Sequence, residues 1–193
     1  MIATATDEWS LPEAHDPEVA FVGRSNVGKS SLLNAVMRTR GLARVSERPG
    51  ETQSINFYQF GKVPQSISLV DLPGYGFAFA EAERMKQWTH FFMDYLQSRK
   101  TLRRVFVLVD SRHGLKESDL QMCSHLDKAK MKYQVGTLCL LIVFFCAHLW
   151  PANRRVLVQL VMTKADLLKP DMLGKMAGLI NERVASESVM SLR

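Results

Sequence analysis

Eight residues constrain this chain more than any other feature: Gly23-Arg24-Ser25-Asn26-Val27-Gly28-Lys29-Ser30. They follow the apolar run Val19-Ala20-Phe21-Val22 and precede a stretch with apolar residues at Leu32, Leu33, Val36 and Met37. The run reads as a strand, the glycine string as a tight loop and the periodic stretch as a helix. Successive backbone N–H groups of such a loop, with a helix N-terminus behind them, form an anion cradle; Lys29 can reach the β and γ phosphates of a nucleotide and Ser30 can ligate Mg²⁺. Gly23 to Ser31 are therefore candidate nucleotide-binding residues, namely Gly23, Arg24, Ser25, Asn26, Val27, Gly28, Lys29, Ser30 and Ser31. The spacing does not choose between ATP and GTP.

Further along, periodicities alternate. A polar stretch rich in Arg and Gly from Arg38 to Thr52 enters Ile55–Phe60, where apolar and polar residues largely alternate. After a turn at Gly61 to Pro64, alternation resumes over Ser66–Asp71, so the two strands read as a hairpin. Glu81 to Arg99 places Met85, Trp88, Phe92 and Leu96 at steps of three and four, an amphipathic helix. Val105–Val109 is an apolar run bounded by Arg104 and Asp110, as expected for a buried parallel strand. A second helix is predicted from about Ser118 to Lys132, with Leu120, Cys123 and Leu126 on one face. A further helix is predicted near Asp171 to Glu187. Strands alternating with helices predict one α/β domain over residues 1–193, a mostly parallel sheet with helices on both faces, with residues 1–17 as an N-terminal extension.

Two further motifs sit at strand ends. Asp71-Leu72-Pro73-Gly74 lies 42 residues after Lys29, where a D-x-x-G switch places its Asp near Mg²⁺ and its Gly N–H near the γ-phosphate. Read alone it is a turn; downstream of a phosphate loop it is a switch candidate. Thr52, 23 residues after Lys29, can supply a hydroxyl to the same metal. Ser30, Thr52 and Asp71 form the candidate metal set, and Lys29, Thr52 and Gly74 the candidate catalytic set. Thr163-Lys164-Ala165-Asp166 follows apolar Leu160-Val161-Met162 and fits a guanine-reading pattern. Its carboxylate can accept two hydrogens from guanine that adenine does not offer, and its Lys stem can cover the base. An ATP-dependent kinase is disfavoured by that motif.

Charge and cysteines set looser bounds. Lys+Arg is 25 against Asp+Glu at 19, a net +6, which suits phosphate-bearing partners and equally an ordinary basic protein. Cys123, Cys139 and Cys146 are too few and too irregular for a disulfide framework or zinc site and read as buried thiols. The first 23 residues hold five acidic residues and no Lys or Arg, the opposite of a transit peptide.

Taken together the motifs resemble the EngB (YihA-type) GTPases, relatives of Era, EngA and MnmE among the translation-factor class. The likeness rests on Gly23 to Asn34, Arg48-Pro49-Gly50-Glu51-Thr52-Gln53-Ser54-Ile55-Asn56-Phe57, Asp71 to Ala78, Asp110-Ser111-Arg112-His113-Gly114 and Thr163 to Asp166, and spans roughly 12–134 and 160–185. It implies a Ras-like G domain, GTP and GDP with Mg²⁺ as ligands, Pro49, Gly50, Leu72 and Pro73 among the nucleotide-contacting residues, and a monomeric GTPase. It implies a role in large ribosomal subunit assembly with rRNA or the subunit as partner, and in bacteria a link to cell division and septation. The compartment implied is a mitochondrion or plastid for a eukaryotic source and the cytoplasm otherwise. Asn26 matches a P-loop Asn that holds K⁺ in related GTPases; a solvent-facing loop Asn is the alternative. Tyr75 stands where Ras-like proteins place a water-orienting Gln, which implies slow intrinsic hydrolysis.

The chain departs from that pattern twice. Asp71 and Asp166 are 95 residues apart, with an uncharged run of sixteen from Val135 to Trp150 between them. The reading preferred for Val135–Gln159 is a retained intron: Val codons begin GT, Gln can be CAG, and removing these 25 residues restores a spacing of 70. An inserted helix or a membrane anchor are the alternatives, the run falling short of the ~20 apolar residues that span a bilayer. After the last predicted helix there is no final strand, guanine-loop motif or closing helix, which predicts weakened guanine affinity and exposed apolar sheet surface. A catalytically impaired or membrane-anchored GTP-binding isoform is the alternative function.

Overall fold

The computed structural model describes residues 2–39, 41–43, 54–63, 66–75, 82–128, 132–137 and 157–190. The strands are β1 (Ala3–Ala5), β2 (Glu18–Gly23), β3 (Ile55–Phe60), β4 (Ile67–Asp71), β5 (Leu102–Asp110), β6 (Lys132–Thr137) and β7 (Leu157–Thr163). The helices are α1 (Lys29–Val36), α2 (Ala82–Ser98), α3 (Glu117–Lys128) and α4 (Pro170–Met190), with short 3-10 turns at Glu8–Ser10 and Ala165–Leu167. The seven strands lie in the order β1-β3-β4-β2-β5-β7-β6. β3 runs antiparallel to β4 and to β1, and β2, β4, β5, β7 and β6 are mutually parallel.

Period-two alternation along the central strands divides the interior. Ala20, Val22, Val70, Val105, Val107, Val109, Leu160 and Met162 face one core, filled by Phe92, Tyr95 and Leu96 of α2, Leu120, Cys123 and Leu126 of α3, and Ile180 and Val184 of α4. Val19, Phe21, Leu69, Phe106, Leu108 and Val161 face the other, with Leu33 of α1 and Val27. Because both faces are covered, the parallel strands read as continuous apolar runs rather than alternating ones. Leu108 and Val161 are both fully buried, at 0% exposure, within the α1-side cluster.

Element ends shift from the sequence reading for local reasons. α3 is described over Glu117–Lys128, and Lys132, read as the helix end, instead opens β6, a β-favouring sequence with Tyr133, Val135 and Thr137. Within the stretch read as an N-terminal extension, Ala3–Ala5 pair with Ile55–Phe57 and lengthen the sheet. The edge outside β7 is taken by β6 from earlier in the chain. The two ends of the stretch read as an insert therefore belong to strands; residues 138–156, with Cys139 and Cys146, lie outside the described residues. No helix among the described residues is long and apolar enough to cross a membrane.

One buried ion pair ties the sheet to α2. Glu18, 2% exposed, accepts from the Tyr95 hydroxyl at 2.8 Å and from Arg99 Nε at 2.8 and 3.0 Å, while another Arg99 nitrogen lies 2.6 Å away. Arg99 also donates to the Pro12 carbonyl at 2.8 Å and stacks over Phe57. Both carboxylate oxygens are occupied, so the pair is held by geometry, and breaking it strands a charge. Arg99→Leu should lose about 3–5 kcal/mol in urea unfolding, and the doubly apolar Glu18→Leu/Arg99→Leu should regain most of it.

Register supplies a second prediction. Lys132, Tyr133 and Gln134 of β6 lie directly opposite Leu157, Val158 and Gln159 of β7, which in turn pair with Arg104, Val105 and Phe106 of β5. Joining Gln134 to Leu160 would let the β6 triplet take the place of the β7 triplet without changing the register of Leu160–Thr163. Deletion of 135–159 is expected to give a folded chain with the same far-ultraviolet circular dichroism shape and cooperative melting; an unfolded product would show that the segment is integral to the sheet.

Candidate functional site

Strand ends bring the motif residues together. β2 pairs in parallel with β4 and β5, and β5 with β7, so the loops after β2, β4, β5 and β7 emerge at the same end of the sheet, where ligands of open α/β sheets bind.

The loop from Arg24 to Gly28 joins β2 to α1. Gly28 sits at φ 108°, a left-handed backbone that a side chain would strain, and it delivers Lys29 as the first helical residue. Asn26 is also left-handed, at φ 59°. Val27 is buried and fastens the loop, Ser30 is partly buried, and Ser31 is exposed on α1. Gly74 lies against this loop so closely that a Cβ there would be 2.8 Å from Ser25 Oγ, 3.1 Å from Ser25 N and 3.2 Å from Lys29 Nζ. Leu72 N donates to the Phe21 carbonyl at 3.0 Å and Tyr75 N to the Gly23 carbonyl at 3.3 Å, so the segment through buried Leu72 and Pro73 is laid along the phosphate loop.

Asp71 ends β4 beside this loop. Its side chain is 6% exposed and its Oδ1 is buried without a hydrogen-bond partner among the described residues. Burial pushes its carboxyl up to about 6, against the opposing pull of the Lys29 charge. Burial likewise lowers the Lys29 ammonium, with Asp71 opposing. A buried, unpartnered carboxylate oxygen, with the Ser30 hydroxyl following Lys29 on α1, is a donor set for a hard cation, so these residues fit Mg²⁺. Thr52, Pro49 and Gly50 lie outside the described residues.

The third motif is clasped to the first. Thr163 Oγ1 donates to the Val27 carbonyl at 2.7 Å, with the Val109 carbonyl at 3.2 Å. Lys164, at φ 56°, donates from Nζ to the Asn26 carbonyl at 2.8 Å and to Asp110 Oδ2 at 3.0 Å. Asp166 is exposed in the first turn of the 3-10 segment that follows.

Two residues gain a role only from the structure. In the sequence Asp110 reads as a strand boundary and part of a family string, yet its carboxylate holds both Lys164 and Arg112. Asp119 at the start of α3 accepts from the Tyr75 hydroxyl at 2.7 Å and from Lys116 N at 2.8 Å. Tyr75, 5% exposed, therefore turns into the core. An acidic residue in a first helical turn looks like any helix start in sequence, so this contact carries no signal there.

Comparisons with known proteins agree with the geometry. The family described as "50S ribosome-binding GTPase" matches residues 18–142. A protein from Rhizobium etli named "Probable GTP-binding protein EngB" is 41% identical over 187 residues, covering 91% of this chain and 74% of its own length. One of the same name from Mesorhizobium japonicum is 49% identical over 135 residues, covering 65% of this chain and 62% of its own. The chain thus spans about three fifths to three quarters of these relatives. A solved structure titled "Crystal structure of a probable GTP-binding protein engB" superposes with TM-score 0.54 at 18% identity, over 87% of this chain and 80% of that one, a likeness of fold.

The Asp71 environment sets a pH dependence. Between the ordinary carboxyl value of 3.8 and about 6 the folded chain keeps a proton that the unfolded chain has released, so this group lowers stability as pH rises through that window. Asp71→Asn removes the effect. Relative to the parent, its unfolding free energy should rise by up to about 3 kcal/mol between pH 4 and pH 6 and then level off, measured by urea titration without nucleotide or metal.

Proposed function

The chain belongs to the EngB family of GTP-binding proteins, and from that premise we propose that it is a GTPase switch, cleaving GTP to GDP and phosphate, that acts on the large ribosomal subunit during its assembly. The observation that carries the reading is the clasp of Lys164 and Thr163 onto the phosphate loop at 2.8 and 2.7 Å. It fixes a base-reading segment at one distance from an anion cradle, which is what one guanine nucleotide requires.

Roles follow from position. The loop N–H groups and Lys29 would bind the β and γ phosphates, and Lys29 would offset charge that builds on their oxygens as the bond between the γ-phosphorus and the bridging oxygen breaks. Ser30 and Asp71, with Thr52 by sequence, would hold Mg²⁺, which when bound neutralises phosphate charge. Gly74 has the close approach to Ser25 and Lys29 that lets its backbone sense a γ-phosphate. Asp166 would accept from the guanine edge while the Lys164 stem covers the base.

Tyr75 does not orient water here, since its hydroxyl is committed to Asp119. Intrinsic hydrolysis is accordingly slow, and the ribosomal subunit is the partner whose contact completes the site. K⁺ beside Asn26 would act in the same sense; hydrolysis in K⁺ against Na⁺ tests it. The relatives named above are bacterial, which supports a cytoplasmic setting.

With Mg²⁺ present, fluorescent GDP should bind the purified chain, unlabelled GDP should displace it and ADP should not. Lys29→Ala should weaken that binding about ten- to a hundredfold, the worth of hydrogen bonds to a charged group. Displacement by ADP as readily as by GDP would overturn the guanine assignment.

A further inference from the structure

We propose that Asp110, the last residue of β5, is a positioning residue for the guanine subsite, holding the Lys164 ammonium against the phosphate loop so that the lysine stem is fixed where a base stacks. The inference deepens the guanine-nucleotide reading and rests on it.

A lysine side chain carries about 2 kcal/mol of rotamer entropy, and a free one at a loop would not present its stem as a fixed surface. Lys164 has two anchors at its tip, the Asn26 carbonyl at 2.8 Å and Asp110 Oδ2 at 3.0 Å. Only the second carries charge, and it is 8% exposed, so the bond is little screened by water.

The carboxylate is itself held in one orientation. Arg112 donates to it through Nε at 3.0 Å, Nη2 at 2.7 Å and its backbone N at 3.0 Å. Asp110 lies directly opposite Thr163 in the parallel pairing of β5 with β7, which presents the next residue, Lys164, beside it. The turn that follows is closed mainly by backbone, His113 N and Gly114 N both donating to the Asp110 carbonyl at 3.1 and 3.0 Å, and the Arg112 backbone N takes Oδ1. Oδ2 is the oxygen that meets Lys164, alongside Arg112 Nη2.

A lysine stem that stacks on a base without reading its edge predicts a particular pattern. Asp110→Asn keeps the shape and removes the charge; it should weaken GDP and IDP by the same factor, about tenfold for one charge-assisted hydrogen bond, leaving the GDP-to-IDP ratio at the parent value. Asp166→Asn should instead collapse that ratio, because the 2-amino group missing from IDP is what it reads. Lys164→Met keeps the stem but not the ammonium and should lose as much as Asp110→Asn, and the double variant should lose no more than Lys164→Met alone.

Affinities come from fluorescent GDP competition with the full chain, each variant checked by thermal melting. Asp110→Asn binding GDP within twofold of the parent, or a double variant that loses the product of the two single losses, would overturn the proposal. So would parent-like affinity in Lys164→Met, which stays decisive even where Asp110→Asn fails to fold. A parent chain that binds no GDP overturns the nucleotide reading itself, a result separate from a binding parent with an indifferent Asp110→Asn.

Discussion

Parallel pairing of β2 with β4 on one side and β5 on the other is the constraint on which the rest depends. Parallel strands need a crossover between them, and crossovers deliver every strand's C-terminal end to the same edge. The phosphate loop, the Asp71–Gly74 segment, the Asp110 turn and the Thr163–Asp166 segment are four such exits. None of them is near another in sequence: Lys164 and Asn26 are 138 residues apart and joined by a 2.8 Å hydrogen bond. Register does the selecting. With Phe21 opposite Asp71 and Phe106, and Asp110 opposite Thr163, a one-residue slip of any of these strands would turn its chemistry to the wrong face.

Buried carboxylates in this molecule divide by whether their partners are complete. Glu18 has Tyr95 and Arg99 on its two oxygens and stands at the far end of β2 from the phosphate loop, tying strand to helix. Asp110 is satisfied by Arg112 and Lys164 and stays well below the usual carboxyl range, chiefly through its Arg112 bonds. Asp71 is the contrast: buried, raised to about 6, with an oxygen that has no partner among the described residues. A buried oxygen left unpaired costs free energy, which among the described residues the Lys29 charge offsets only in part.

Much of the fold and of the site is legible in the sequence. The strand, loop and helix around Gly28 and the hairpin of β3 and β4 carry strong local signals, a glycine string in one case and alternation broken by Gly61 in the other. The candidate site residues are legible for the same reason, since Lys29, Asp71, Gly74, Lys164 and Asp166 belong to contiguous strings at strand ends. Asp110 and Asp119 are not, because what matters about them is a contact across more than forty residues, to Lys164 and Tyr75, and no local pattern encodes it. The strand β1 escapes a sequence reading because Ala3–Ala5 is too short for periodicity to show; only its partner Ile55–Phe57 gives it a place.

The sheet edge beyond β7 shows how such a fold tolerates an atypical stretch. A central parallel strand is specified from both sides, but the outermost is specified from one, so the edge is where additional chain enters at least cost. β6 occupies that place and keeps parallel register with β7 over Lys132–Thr137. The first half of β7 and the first half of β6 thus form two copies of one positional role, Gln134 standing opposite Gln159 and both leading toward the slot that Phe106 pairs. What is invariant in either arrangement is Leu160–Thr163: Leu160, Val161 and Met162 are each at most 1% exposed, and their burial on both faces of the sheet holds Thr163 where its hydroxyl meets the Val27 carbonyl. The Thr163–Asp166 segment is therefore anchored by the apolar half of its strand and by β5, whichever residues fill the half before it.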